Sequence, residues 1–362
     1  MMSALRLAAK GYGKTSPNPM VGAVVVSKDS IVGQAYHHAA GQPHAEVLAL
    51  RQAGRLARGA TLYVTLEPCS HLKKRTPPCV PAVIQSGVHR VVVAMRDPNP
   101  AVSGKGLAQL RRAGLSVTVG VAREEAEVLN QAYSHWITTK RPYVMLKAGM
   151  TLDGQIATAR GESKWITGLQ SRQEVHRLRS SMDAVITGIG TVLKDNPSLT
   201  ARRLPGLTVL ASIQPTRIVV DSGLRIARSA KILTQQSSAK TIIATTKYAP
   251  SARRRALERQ GIEVLVLPGP GKRVSLKQFL TVLGQRGMMS VMVEGGGELN
   301  AAFLKSKLVN HVRLYVAPTL LGGTQSKGVI GGVSPRRLAD AWKLRQVRTR
   351  VLGTDVVVEG DV

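Results

Sequence analysis

The stretch VTLEPCSHLKKRTPPC, residues 64–79, decides how the first part of the chain folds. An apolar strand, residues 61–65, runs into a loop rich in proline and cysteine, and a helix follows over about 80–86. Working outward, the same alternation repeats on both sides. Upstream, residues 3–10 have the spacing of a short amphipathic helix, 21–26 and 31–33 flank the Lys28-Asp29 turn as a hairpin, and 44–53 is helical. Downstream come a strand at 88–95, the turn Asp97-Pro98-Asn99-Pro100, a helix at 106–113 and a strand at 116–119. Strand and helix alternating in this way predict an α/β layer on a mainly parallel sheet.

Residues 120–136 read as one further helix. The polar break Thr138-Thr139-Lys140-Arg141-Pro142 follows, then a fresh strand at 143–148, which places a domain boundary near residue 140 and predicts units over 1–140 and 141–362. The second unit alternates again. Its strands are expected at 184–187, 217–221, 241–245, 263–267, 290–294 and 311–316, its helices near 171–180, 251–260, 276–286 and 298–305, and an antiparallel pair at 344–358 closes it. Internal repeats are not visible.

Length agrees, since 362 residues make about two domains with cores of their own. The longest apolar runs, 21–26 and 91–95, fall far short of the ~18 residues a bilayer span needs. The basic, alanine-rich opening MMSALRLAAKGYG lacks the apolar core of a secretion signal. Cys69 and Cys79 are the chain's only two cysteines, too few for a disulfide framework, which favours a reducing compartment. The 51 Lys and Arg against 21 Asp and Glu give a net charge of +30. That excess is spread over both halves, and aromatics at 3% are too sparse for stacking platforms on single strands. Nucleic acid is therefore not the expected partner, and phosphorylated small molecules are.

Chemistry concentrates where the helix at 44–53 and the cysteine loop meet. His44-Ala45-Glu46 opens the helix at 44–53, Pro68-Cys69 follows a strand, and Cys79 lies ten residues beyond Cys69. One imidazole and two thiolates supply three zinc ligands and leave a fourth tetrahedral position to water, the mark of a catalytic rather than a structural zinc. Zinc lowers the pKa of such a water towards ~7, and Glu46, not itself a ligand, is placed to carry a proton to a leaving ammonia. The pattern is H-x-E with P-C, but the second cysteine does not follow after two intervening residues, as it does in nucleic-acid-editing deaminases. Two buried cysteines beside an unrelated surface histidine is the alternative that these residues alone leave open.

The blocks TSPNPMVGAVVV (15–26), AGQPHAEVLAL (40–50), VTLEPCSH (64–71), TPPC (76–79) and DPNPAVSGKG (97–106), in this order, resemble the bifunctional riboflavin-biosynthesis deaminase/reductase family. The resemblance implies a cytidine-deaminase-like three-layer domain that converts 2,5-diamino-6-(5-phosphoribosylamino)pyrimidin-4-one to its uracil counterpart. His44, Cys69 and Cys79 would be the zinc ligands and Glu46 the general acid/base. Asn18, His37, Asp97 and Asn99 match positions that contact substrate in the family. The Cys69–Cys79 loop is one residue longer than the family's usual loop and lacks its glycine; counted back from Cys79, Arg75 takes the place of the basic substrate-binding residue.

In the second half, a strand ending at Glu294 meets Gly295-Gly296-Gly297 ahead of a helix, an arrangement that suits a phosphate at a helix start or simply a turn after a buried strand. Gly188-Ile189-Gly190 lacks the third glycine of the dinucleotide fingerprint, so no Rossmann domain is expected. LKAGMTLDGQIA (146–157), GESKWIT (161–167), GTVLKDNPSLTAR (190–202), VVDS (219–222) and VEGGGELNAAFL (293–304) resemble the same family's reductase half, which is dihydrofolate-reductase-like. The implied NADPH contacts are Gly149, Trp165, Thr191, Asp195, Ser222, Gly296, Gly297, Glu298, Leu299, Asn300, Ala301 and Ala302. The implied substrate contacts are Ser163, Arg179, Leu199, Arg202 and Glu294, with Lys147 and Asp153 as further cleft residues. Hydride from NADPH would open the phosphoribosyl group to a ribityl chain, and the family further implies a homo-oligomer. Two other readings remain open on sequence grounds: one retained activity only, the longer loop having cost the other, or an RNA-binding protein on an inactive deaminase fold.

Overall fold

Lys28 and Asp29 both adopt positive φ, 48° and 63°, which is what a two-residue turn with the right-handed twist of a hairpin requires. They join β1 (Gly22–Ser27) to β2 (Ser30–Tyr36). The computed structural model describes residues 1–71, 76–202 and 213–362 and divides into two compact units, Met1–Arg141 and Pro142–Val362.

In the first unit, β1 lies antiparallel to both β2 and β3 (Thr61–Leu66), and β3 continues in parallel to β4 (Arg90–Met95) and β5 (Ser116–Val119). Two glycines show how helices cover it. A Cβ on Gly22 would lie 2.0 Å from the Ala4 carbonyl oxygen of α1 (Met2–Ala8), and one on Gly33 would lie 2.2 Å from that of Ala49 in α2 (Ala45–Ala53). Gly33 pairs with Val25, three residues along β1 from Gly22, so the two contacts fall on opposite faces of the pleat. Helices on both faces make three layers. Further cover comes from α3 (Cys79–Gln85), α4 (Lys105–Arg112), α5 (Arg123–Leu129) and α6 (Gln131–Thr139).

The single helix expected over 120–136 is two. Asn130, 1% exposed with φ −105° and ψ 18°, separates them. Its amide is committed elsewhere: Oδ1 accepts the Met20 N–H at 2.8 Å and Nδ2 donates to the Met20 carbonyl at 3.0 Å. A buried asparagine that satisfies a distant backbone pair leaves the helical path to do so.

The second unit is built on a sheet in which seven parallel strands, β6 (Tyr143–Thr151), β8 (Ala184–Gly188), β9 (Thr216–Val220), β10 (Thr241–Thr245), β11 (Glu263–Val266), β12 (Ser290–Val293) and β13 (His311–Ala317), are extended by antiparallel β16 (Asp355–Asp361) and β15 (Arg345–Leu352). A separate pair joins β7 (Gln155–Ala157) to β14 (Lys327–Gly328). Alternate residues of the central strands enter different cores. Val144, Leu146, Ile186, Ile218, Val291 and Val293 pack with Phe279 and Phe303 on one side, while Met145, Val185, Val219 and Met292 pack with Leu224 and Ile232 on the other. Both faces are buried, which is why these strands read as continuous apolar runs. The helices are α7 (Leu169–Ser181), α8 (Ile189–Asp195), α9 (Lys231–Thr234), α10 (Ser251–Glu258), α11 (Leu276–Gln285) and α12 (Gly297–Lys305), of which α8 and α9 carry no clear periodicity in the sequence. Among the described residues no helix is long and apolar enough to cross a membrane.

Candidate active sites

The first site lies at the carboxyl end of β3. His44 caps α2 with extended φ and ψ, Glu46 sits in that helix's first turn, and Cys79 opens α3 behind Pro78. Backbone bonds from Cys79 and Val80 N–H to the Cys69 carbonyl, at 3.0 and 3.2 Å, hold the two cysteines side by side; no disulfide joins them. His44 Nδ1 points at both sulfurs, 3.1 Å from Cys79 Sγ and 3.5 Å from Cys69 Sγ, while Nε2 lies 3.0 Å from the Thr76 hydroxyl. The three ligand atoms lie within 4.8 Å of one another. One nitrogen and two sulfurs this close, with the other ring nitrogen held by a hydroxyl, suit zinc and its supporting shell.

Glu46 is 3% exposed, and its Oε2 has no hydrogen-bond partner. An orphaned carboxylate oxygen is costly unless something in the site is meant to meet it. Burial, reinforced by the Cys69 charge, pushes this carboxyl above the usual carboxylate range. Glu46 borders a cavity of about 350 Å³ together with Asn18, His37, His44, Cys69, Asp97 and Asn99. His37, 2% exposed, faces Asn18 Nδ2 through Nε2 at 2.9 Å and the Pro43 carbonyl through Nδ1 at 3.3 Å. Those partners fit the neutral ring, and burial lowers its pKa. Asp97 Oδ1 accepts the Asn99 N–H at 2.9 Å and the Tyr133 hydroxyl at 3.0 Å; burial pushes its carboxyl up to about 6.

The second unit has its polar cluster around Glu294, one residue past β12. Its carboxylate accepts Lys147 Nζ at 3.2 Å and both Nε and Nη2 of Arg179, at 2.9 and 2.8 Å. Burial alone would raise that carboxyl, but Arg179 and Lys147 outweigh it and hold it well below the usual range. Arg179 Nη1 donates to the Thr200 carbonyl at 3.0 Å, and the Arg202 N–H donates to His176 Nδ1 at 3.1 Å. Burial beside Arg179 and Arg202 lowers His176 to about 4. Leu199, 3% exposed, turns the chain here with φ 53°. Arg179, Leu199, Arg202 and Glu294 are thus brought together, with Lys147 among them.

Two family models match the chain, one in each unit. Residues 1–95 match the cytidine and deoxycytidylate deaminase zinc-binding region, and residues 142–358 match the RibD C-terminal domain. The riboflavin biosynthesis protein RibD of Aquifex aeolicus is 46% identical over 99% of this chain and 96% of its own length. The chain belongs to the RibD family. The Escherichia coli relative is 41% identical, covering 98% and 96% of the two chains. Among solved structures, Acinetobacter baumannii RibD superposes with a TM-score of 0.88 at 38% identity over 100% of this chain and 97% of that one. A Thermotoga maritima diaminohydroxyphosphoribosylaminopyrimidine deaminase/5-amino-6-(5-phosphoribosylamino)uracil reductase does so at 0.86 and 36%, with the same coverage. Like its relatives, this chain is a bifunctional deaminase and reductase of riboflavin biosynthesis, with a zinc-binding deaminase domain and an NADPH-dependent reductase domain.

The remaining residues singled out in the sequence fall as follows. Arg75 lies outside the described residues. Ser163 Oγ donates to Asp195 Oδ1 at 3.0 Å, so a residue expected at the substrate and one expected at the cofactor touch each other. Trp165 is 68% exposed with the Arg172 guanidinium 4.6 Å over its ring. Gly149 abuts Thr167, and Gly296 faces the Thr191 hydroxyl. Ser222 accepts the Val274 N–H through its hydroxyl at 3.1 Å. Gly297 and Glu298 begin α12, but the N–H groups of Leu299 and Asn300 already bond the Gly296 carbonyl at 3.1 Å. The Asn300 side chain donates to the Val329 carbonyl at 2.9 Å, and Ala301 is buried with Ala302 packed against the core. Asp153 accepts the Leu321 and Gly322 N–H groups and acts as a turn anchor. Tyr133, Trp136 and Ile137 of α6 border the deaminase cavity and carry no motif.

Proposed function

We propose that the first unit deaminates 2,5-diamino-6-(5-phosphoribosylamino)pyrimidin-4-one and the second reduces the resulting 5-amino-6-(5-phosphoribosylamino)uracil to its ribitylamino product. The observation that carries this reading is Glu46 Oε2, buried and unpartnered in one cavity with His44 and Cys69, whose ligand atoms lie within 4.8 Å of that of Cys79. His44, Cys69 and Cys79 would hold zinc, which supplies Lewis acidity that makes water nucleophilic at neutral pH. Water adds to the amino-bearing carbon, Glu46 takes the proton released and returns it to the departing nitrogen, and ammonia leaves. Asn18, His37, Asp97 and Asn99 orient the pyrimidine and its ribose phosphate from the cavity wall.

NADPH, when bound to the second unit, would supply the hydride that reduces C1' of the imine form of the sugar, the imine nitrogen taking a proton from water. Gly149, Trp165, Thr191, Asp195, Ser222 and the start of α12 around Gly296 to Glu298 are its proposed seat. Arg179, fixed by Glu294 and Thr200, and Arg202 hold the substrate's 5'-phosphate through charge-assisted bonds. Ser163 works with Asp195 between the two ligands. The same proposal places the enzyme in the cytoplasm as a homo-oligomer, in keeping with two thiols poised as metal ligands and with bacterial relatives.

Two variants test the assignment by ammonia release and bound metal. Glu46→Ala retains zinc and loses deamination by a factor of about 10²–10⁴, the usual worth of a positioned acid/base. Cys79→Ser loses both zinc and deamination but still reduces supplied uracil intermediate. Zinc loss from Glu46→Ala, or full deamination by Cys79→Ser, would contradict it.

A further inference from the structure

Glu67, between β3 and Cys69, has none of the roles assigned above, although it is 2% exposed and borders the cavity. Its two oxygens accept four backbone N–H groups. Oε2 takes those of Asp97 at 3.3 Å and Gly104 at 2.9 Å, and Oε1 takes those of Gly106 at 3.0 Å and Leu107 at 3.4 Å. The segment from Asp97 to the first turn of α4 is therefore tied at both ends to one carboxylate. Its own N–H donates to the Met95 carbonyl at 3.0 Å, which keeps β3 and β4 in step up to the site. A second contact presses the segment home. A Cβ on Gly106 would sit 2.1 Å from the Pro68 carbonyl oxygen and 3.3 Å from Glu67 Oε1, so only glycine permits this approach.

The consequence is a fixed distance between two parts of the cavity. Cys69, a zinc ligand, is two residues along the chain from Glu67, and Asp97 and Asn99 hang from the other side of the same carboxylate. We propose that Glu67 is a positioning residue for the deaminase, setting where Asp97 and Asn99 stand relative to the metal ligands. This rests on the reading above that Asp97 and Asn99 contact the substrate. A carboxylate is required because all four partners are donors. A glutamine of the same shape offers one accepting oxygen and turns an NH₂ group towards two N–H groups.

The test uses the full-length, zinc-loaded protein with Glu67→Gln, following ammonia release over a range of substrate concentrations, zinc content, and the reductase rate on supplied uracil intermediate. The expected result is a KM for deamination raised about ten-fold, the scale of losing one or two buried hydrogen bonds, with kcat far less changed, zinc retained and the reductase rate unaltered. A purely structural role would reduce the amount of active enzyme and leave KM where it was, and that result overturns the proposal. Zinc loss with unchanged KM overturns it too, assigning Glu67 to the Cys69 ligand alone. Asn99→Ala separates the proposal from the reading beneath it. If KM is unmoved by Asn99→Ala, the substrate assignment fails and takes the proposal with it. If Asn99→Ala raises KM and Glu67→Gln does not, the positioning role alone fails. Should Glu67→Gln not accumulate as folded protein, Gly106→Ala displaces the same segment with Glu67 intact, and an unchanged KM there is equally contrary.

Discussion

Replacing Glu294 by glutamine probes the charge cluster of the second unit. Glu294 balances two cations whose side chains are only 12% and 11% exposed, and its own is 18% exposed. Glu294→Gln keeps the volume and one accepting oxygen but leaves Lys147 and Arg179 facing each other without a counter-charge. Removing one partner of a buried ion pair costs about 3–5 kcal/mol, and the residual exposure places this case near the lower figure. For a unit of this size each kcal/mol is worth about 2–4 °C, so the melting transition of the second unit falls by roughly 6–12 °C. Scanning calorimetry reads the shift, and deaminase activity retained after mild heating reports the first unit separately. The sign with pH follows from the lowered carboxyl. Glu294 stabilises fully above its ordinary value of 4.5, and its contribution is lost progressively as pH falls from there through the depressed native value. The deficit of Glu294→Gln is therefore constant from pH 6 to 8 and begins to narrow only below that ordinary value. A shift below about 2 °C at pH 7 would refute the reasoning, because it would mean that solvent already screens the cluster.

Three further outcomes follow from the same geometry. Burial would lower the His311 pKa, but the nearby Glu359 carboxylate and the hydrogen bond to Asp361 outweigh it and raise the pKa above 6.5; His311→Asn therefore lowers Tm below pH 6.5, and the difference from wild type disappears as pH rises through the native value. Asn130→Ala leaves the Met20 N–H and carbonyl without their partner, and urea denaturation should show a loss of about 1–3 kcal/mol. Arg202→Ala raises KM for the uracil intermediate by roughly 10- to 100-fold, the scale of a lost charge-assisted bond, while deamination kinetics stay unchanged.

Sequence spacing carried the elements that depend on local chemistry. The Lys28-Asp29 turn, the strand leading into Pro68-Cys69 and the helix opened by His44 were all legible, because turn residues, apolar runs and ligand spacing are local signals. The parallel strands of the second unit were visible as apolar runs because both of their faces are buried. What was not legible depends on contacts across the chain. Asn130 looks like any polar residue on a helix until Met20, 110 residues away, takes both ends of its amide. Glu67 looks like an exposed charge two residues before Cys69 until four N–H groups from residues 97–107 converge on it. Nothing in the spacing of the turn ahead of α12 shows that the Asn300 side chain holds the Val329 carbonyl, 29 residues on. The short helices α8 and α9 have too few turns to display a period.

The most direct measurement of the central claim, that one chain deaminates and then reduces, generates the diamino substrate in situ from GTP, adds zinc-loaded protein and NADPH, and follows NADPH oxidation. Wild type should oxidise NADPH and Glu46→Ala should not, while both oxidise it when given the uracil intermediate. Equal oxidation by wild type and Glu46→Ala on the diamino substrate, or none by wild type on the uracil intermediate, would contradict the account.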